Sequence, residues 1–157
     1  MRGIAVHLER SAEALHIRYE LEAPLDRLRL PAAGPFRPGE KLWQHTCFEI
    51  FVSPGMPAYR EFNFSPSGEW AAYSFSQYRD GEPVSGGVDS LAARIRPDHL
   101  EIEAAIRCPK GNLKVALSAV IEDREGPLSY WALRHPPGNP DFHHPDGFVL
   151  PLDEIRN

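Results

Sequence analysis

Two carboxylates, an amide and a thiol fall on alternate positions of two neighbouring apolar runs. Residues 46 to 52 read TCFEIFV, and residues 59 to 65 read YREFNFS. Alternation at a period of two places Phe48, Ile50 and Val52 on one side of an extended chain and Cys47, Glu49 and Phe51 on the other. In the second run Phe62 and Phe64 share a side, and Glu61 and Asn63 the opposite one. If the phenylalanine side lines a core, Glu49, Glu61, Asn63 and Cys47 gather on the other face of one sheet. Carboxylates and amides so placed are suited to holding hydroxyl groups. Trp43 lies six residues before Glu49, where its indole can cover the apolar face of a sugar ring while Glu49, Glu61 and Asn63 take its hydroxyls. His45 falls between Trp43 and Cys47, so alternation puts it on their side. A plainer alternative stays open, in which Trp43 caps the core edge and the acids pair with Arg or Lys.

The elements that must position these groups are short and punctuated. The chain has sixteen prolines and twelve glycines, spread along it rather than gathered in a linker. Turn signals between short alternating runs predict an all-β, antiparallel two-sheet β-sandwich of roughly ten strands, with almost no helix. Residues 3 to 9 and 14 to 22 alternate and form a hairpin. Residues 25 to 30 read as a short strand or a single helical turn. Residues 31 to 41, PAAGPFRPGEK, read as loop. The runs at 46–52, 59–65 and 69–76 form a meander through Ser53–Pro54–Gly55 and Pro66–Ser67–Gly68. Residues 79 to 88 read as loop, 90–96 and 99–107 as a hairpin about Pro97–Asp98, and 113–122, 128–134 and 148–152 as strands. Leu100, Ile102, Ala104 and Ile106, then Leu113, Val115, Leu117, Ala119 and Ile121, are the core positions of the later strands.

Composition excludes several function classes. At 157 residues the expectation is one domain over 1–157, large enough to build a core without staples. A net charge of −5 gives no basic surface for nucleic acid and no polybasic arm for a membrane. The first residues lack the apolar run of a signal peptide and no stretch approaches a membrane span, so the expected location is the cytoplasm. There Cys47 and Cys108 are expected as free thiols. No nucleophile elbow, phosphate-binding loop or dinucleotide fingerprint is present. Residues Cys47, His45 and Glu49 sit too close along one strand to make in-line catalytic hydrogen bonds. Glu49 and Glu61, as cross-strand neighbours, could instead form a glycosidase pair.

The segment RHPPGNPDFHHPDG holds His135, His143 and His144 with Asp141 and Asp146. Its spacing matches no standard zinc template, so no metal is expected. Four prolines fix this segment, and a fixed loop can wall a ligand pocket. Trp70 and Trp131 read first as packing residues. Arg79, Arg107 and Arg134 could reach the polar face from strand ends and neutralise Glu49 and Glu61.

Three pieces of the chain occur together in a recognisable order. LWQHTCFEIFVSP is followed by YREFNFSPSGEW, and a later tryptophan precedes PDFHHPDGFVLPL. This arrangement resembles the superfamily of DOMON domains and family 9 carbohydrate-binding modules, most of all the small bacterial DOMON-like proteins, over about residues 40–76 and 128–152. The resemblance implies a β-sandwich whose ligand is a sugar or a haem. It implies that Trp43 stacks on sugar, that Glu49 is a ligand-facing acid and that Asn63 is a polar contact on the next strand. Glu61 stands where those modules can carry arginine. Phe142 and Trp131 are the candidates for the second aromatic wall, with His143 beside the former. The haem-binding members hold iron through Met and His. Here the methionines are Met1 and Met56, the latter in a turn tip that seldom fixes an axial ligand.

The expectation is therefore non-catalytic binding of a small polar ligand, a carbohydrate or sugar-like metabolite, without a cofactor. The candidate contacts are Trp43, His45, Glu49, Glu61, Asn63, Phe142 and His143. A haem-binding or redox module and a carboxylate-pair enzyme are the alternatives. The acidic face at Glu49 and Glu61 fits neutral or cationic ligands better than phosphates.

Overall fold

The computed structural model describes residues 3–155; Met1, one of the two candidate haem-ligand methionines, lies outside them. The described residues form twelve strands in two sheets, most of them from the period-two alternation. Strands β1 (Gly3–Arg10), β2 (Ala14–Glu22), β8 (Val88–Arg96) and β9 (His99–Arg107) form a four-stranded antiparallel sheet in the order β1-β2-β9-β8. The larger sheet contains β3 (Arg37–Pro38), β4 (Cys47–Gly55), β5 (Ala58–Phe64), β6 (Glu69–Gln77), β7 (Asp80–Pro83), β10 (Leu113–Glu122), β11 (Leu128–Ala132) and β12 (Leu150–Leu152). Its order is β11-β10-β4-β5-β6-β3, with β12 against β10 and β7 against β6.

The two sheets meet through the side chains that alternation assigns to the core. Leu15, Ile17, Tyr19 and Leu21 of β2 and Leu100, Ile102 and Ile106 of β9 face Phe48, Ile50 and Val52 of β4 and Phe62 and Phe64 of β5. Val115, Leu117, Ala119 and Ile121 of β10 complete the layer. At roughly 25 cal/mol per Å² of apolar area removed from water, this interior is the main favourable contribution to folding.

Two segments expected to be loops carry short strands. Arg37–Pro38 runs parallel to Glu69–Trp70, and Asp80–Pro83 pairs with the end of β6. Both lie at sheet edges, where proline's missing N–H is tolerated. Residues 25–27 take the helical alternative as a 3-10 turn, and two more such turns occur at Leu42–Gln44 and Pro145–Gly147. No helix among the described residues is long and apolar enough to cross a membrane. Cys47 and Cys108 are both free, Cys47 buried and Cys108 half-buried.

Candidate functional site

The site lies on the face of the larger sheet turned away from the main core. Register fixes its floor. Ser118, Glu49, Asn63 and Ala71 form one cross-strand row over β10, β4, β5 and β6, and Ala116, Phe51, Glu61 and Tyr73 form the next. Glu49 and Glu61 are therefore diagonal neighbours, within reach of one another.

Contrary to what an outer sheet face usually is, this floor is buried. Glu49 is 2% exposed, Glu61 5% and Asn63 0%. The cause is the segment between β11 and β12, which folds back over the sheet. Phe148 from that segment packs edge-on against Phe51 and Tyr59, at centroid distances of 6.1 and 5.5 Å. Phe51, Tyr59, Ala116 and Phe148 make a second small core, with Phe75 and Phe142 packed on it. On the other side the 3-10 turn at Leu42–Gln44 is anchored by buried Leu42 and leaves Trp43 41% exposed. The Trp43 ring stands edge-on to Tyr73 at 6.0 Å.

Between these two covers lies an open cavity of about 350 Å³. Glu49 and Glu61 contribute its polar floor, and Trp43, Tyr73, Phe75, Tyr130 and Phe142 supply aromatic walls. Arg79 and His143 sit at its rim. The volume is at the small end of the range of roughly 300–1,000 Å³ typical of small-molecule pockets.

The carboxyl groups of Glu49 and Glu61 lie close enough to perturb one another. Burial, reinforced by the charge of Glu61, holds the Glu49 carboxyl well above the usual carboxylate range. Burial also raises Glu61, opposed by the hydrogen bond from Glu49, the nearby Asn63 amide and the Arg79 charge. Two buried carboxyls in contact cannot both ionise without a large cost, so at neutral pH Glu49 keeps the proton and donates it to Glu61. The Ser118 hydroxyl donates to Glu49 Oε2 at 3.3 Å. The Asn63 amide lies beside Glu61, yet neither its oxygen nor its nitrogen makes a hydrogen bond of good geometry.

A polar chain runs from this pair to the rim. Nε2 of His143 lies 3.5 Å from Glu61 Oε1, and Nδ1 accepts from the Tyr59 hydroxyl at 2.8 Å. That hydroxyl in turn accepts the Arg79 backbone N–H at 3.0 Å. The network thereby assigns the neutral His143 tautomer with its proton on Nε2. Burial, with the Arg79 charge, lowers the His143 pKa to about 4, so the ring is uncharged at neutral pH. The Arg79 guanidinium is occupied by Asp141 at 2.9 Å and by the Tyr78 hydroxyl at 3.2 Å. Asp141 also accepts from the His143 backbone N–H at 3.1 Å and from Tyr78.

Of the residues expected to form a site, Trp43, Glu49, Glu61, Phe142 and His143 line one cavity. Asn63 lies in the same floor but is wholly buried. His45 is a correction. It closes the 3-10 turn after Trp43, and its ring turns outward to Glu122, Nδ1 lying 3.1 Å from Oε1. Alternation does not extend through that turn, and His45 is not among the cavity-lining residues. Trp131 is also displaced from the expected wall. It pairs with Ala119 on the core side of β11, whereas Tyr130, opposite Val120, faces the cavity. Arg79 reaches the rim, while Arg107 lies near Asp89, away from the cavity.

Tyr73, Phe75 and Tyr130 are wall residues that the sequence argument did not single out. Their signal was present: Trp70 and Ala72 face the main core, which leaves Ala71, Tyr73 and Phe75 for the opposite side.

Cys47 is buried with its thiol pushed well up by burial and by the neighbouring Glu49 and Glu61 charges, so it is no thiolate nucleophile. Among the described residues, no three His, Cys, Asp or Glu side chains converge in a way that could hold a metal ion.

No family model matches the sequence, and no curated protein matches it. The fold is similar to that of a "putative carbohydrate-binding protein" from Bacteroides uniformis ATCC 8492. The TM-score is 0.68 at 16% identity, over 92% of this chain and 75% of that one. A DUF4466 family protein from Parabacteroides merdae ATCC 43184 aligns over 83% of this chain and 43% of its own, with 10% identity and a TM-score of 0.30. The first likeness shows a shared β-sandwich fold. The similarity to DOMON domains continues to rest on the sequence pieces quoted above.

Proposed function

We propose that the chain binds a small polar ligand of the sugar type, without catalysis, in the cavity beside Trp43. The observation that carries this is the combination of aromatic walls with a buried carboxyl floor in one cavity. Aromatic faces remove the apolar side of a sugar ring from water, and a carboxyl pair accepts and donates to its hydroxyls. The similar fold of a protein named for carbohydrate binding supports the same reading.

The carboxyl pair fits binding better than glycoside hydrolysis. A retaining enzyme needs its two carboxyls roughly 5–5.5 Å apart and an inverting one needs them further apart. Here they are diagonal cross-strand neighbours close enough to perturb one another's titration, without the room for a water between them that an inverting pair needs. Haem binding has less support. Met56 lies exposed in the turn between β4 and β5, and among the described residues no methionine lines the cavity.

The test is calorimetry with mono- and disaccharides against the wild-type chain and Trp43→Ala. The expected result is saturable binding by the wild type, weakened about tenfold or more in the variant through loss of the stacking surface. Binding that is unchanged in Trp43→Ala would remove the cavity from the account.

A further inference from the structure

The charge inventory of the cavity is unbalanced. The Glu49 and Glu61 carboxyls share its floor, both almost wholly buried. Among the described residues Arg79 is the one Lys or Arg that lines it, and its guanidinium is already engaged by Asp141 and Tyr78. His143 presents a neutral ring. The buried negative charge of the pair thus has no dedicated counter-ion, although unpaired buried charge is costly. Beside it the wholly buried Asn63 amide has unused hydrogen-bonding capacity. Around it stand aromatic rings, whose faces attract cations.

From this arrangement we infer that the ligand carries a protonated amine beside its hydroxyls, as a free amino sugar does, and that its ammonium group sits between the Glu49–Glu61 pair and the aromatic walls. This rests on the proposal that the cavity is the binding site, and it names the ligand class.

Proton uptake and release follow from the same geometry. In the free protein the Glu49 O–H is donated to Glu61. When an ammonium group enters, it takes over the neutralising role of that proton. Glu49 then ionises, its proton leaves to the buffer, and the ligand keeps all of its own. The titratable and polar groups around the pair are Tyr19 on β2, Cys47 on β4 and Tyr73 on β6, with Ser118 on β10 bonded to Glu49, and Tyr59 on β5, Arg79 at the β6–β7 turn and His143 in the covering loop on the Glu61 side, Asp141 standing behind Arg79. None of these supplies a second positive charge that would ionise Glu49 without ligand. Binding therefore tightens as pH rises, up to the point where the ligand's own amine loses its proton.

The experiment is calorimetry of the full chain near pH 6.5 with glucosamine, glucose, N-acetylglucosamine and methylamine, in phosphate and in HEPES. Glucosamine should bind about tenfold or more tighter than glucose or N-acetylglucosamine, with a buffer-dependent heat that reports proton release. In Glu49→Gln/Glu61→Gln the preference for the amine should vanish. The wild-type comparison decides the matter even where that variant does not fold. If glucose and N-acetylglucosamine bind as tightly as glucosamine, the amine inference is overturned while the sugar site stands. If methylamine binds and no sugar does, the amine stands and the sugar reading falls. If none of the four binds, both are overturned.

Discussion

The Tyr19 hydroxyl on β2 crosses the sandwich and donates to the backbone carbonyl of Glu49 on β4 at 2.8 Å. One hydrogen bond thus links the four-stranded sheet to the strand that carries the cavity floor. Tyr19 is 1% exposed, and its ring packs on Phe48 at 5.2 Å. Its hydroxyl fixes the height of Glu49 against the opposite sheet.

Tyr19→Phe keeps the ring packing and removes only that bond. It should cost about 1–2 kcal/mol in urea unfolding, because a buried carbonyl loses its cross-sheet donor. No change in the unfolding midpoint would mean that the contact does not hold the sheets in register.

The raised pKa of Glu49 predicts a slope on the alkaline side. Above the ordinary carboxylate range the unfolded chain has released this proton and the folded chain has not. The folded state therefore binds more protons, and stability falls as pH rises toward the folded-state value. Glu49→Gln replaces the acid O–H with an amide donor and has no proton to lose. Thermal unfolding should show the variant gaining on the wild type as pH rises above the ordinary carboxylate range, and parallel curves would contradict the raised Glu49 carboxyl.

His143 acts in the opposite direction on the acid side. Its pKa is lowered from 6.5 to about 4. Below pH 6.5 the unfolded chain takes up a proton that the folded one refuses until near pH 4. Stability is lost as pH falls through that window, by on the order of 3 kcal/mol in all. Between about pH 4.5 and 6.5 this loss runs against the gain from Glu49 and Glu61 and offsets part of it. His143→Gln should unmask a rise in stability on acidification, and an unchanged profile would place His143 in solvent.

Phe148 is predicted to pin the covering loop. Phe148→Ala removes a ring buried against Phe51 and Tyr59 and should cost about 3–5 kcal/mol if the site does not collapse. Hydrogen exchange should quicken at residues 141–148 before the core strands respond. Uniform quickening of all strands would show that the loop is not a separate unit.

The fold was legible in the sequence because strict alternation marks a core face and a far face without any knowledge of partners. Phe48, Ile50, Val52, Phe62 and Phe64 and their counterparts on β9 and β10 follow from that rule. Alternation fails where the chain leaves extended geometry. His45 was misplaced by the 3-10 turn, and β3 and β7 were hidden by the prolines and glycines that mark sheet edges. The burial of Glu49, Glu61 and Asn63 was not legible either. It depends on the loop after β11 folding back over the sheet, a long-range event that local pattern does not encode. Trp131 and Tyr130 show how narrow the margin is, since one position along β11 moves a ring from the cavity to the core side.

A crystal structure with the tightest-binding saccharide soaked in tests the central claim most directly. The account predicts density between Trp43 and Phe142, with a polar ligand atom within hydrogen-bonding distance of Glu61. Ligand density on another face, with the cavity still holding only solvent, would contradict it.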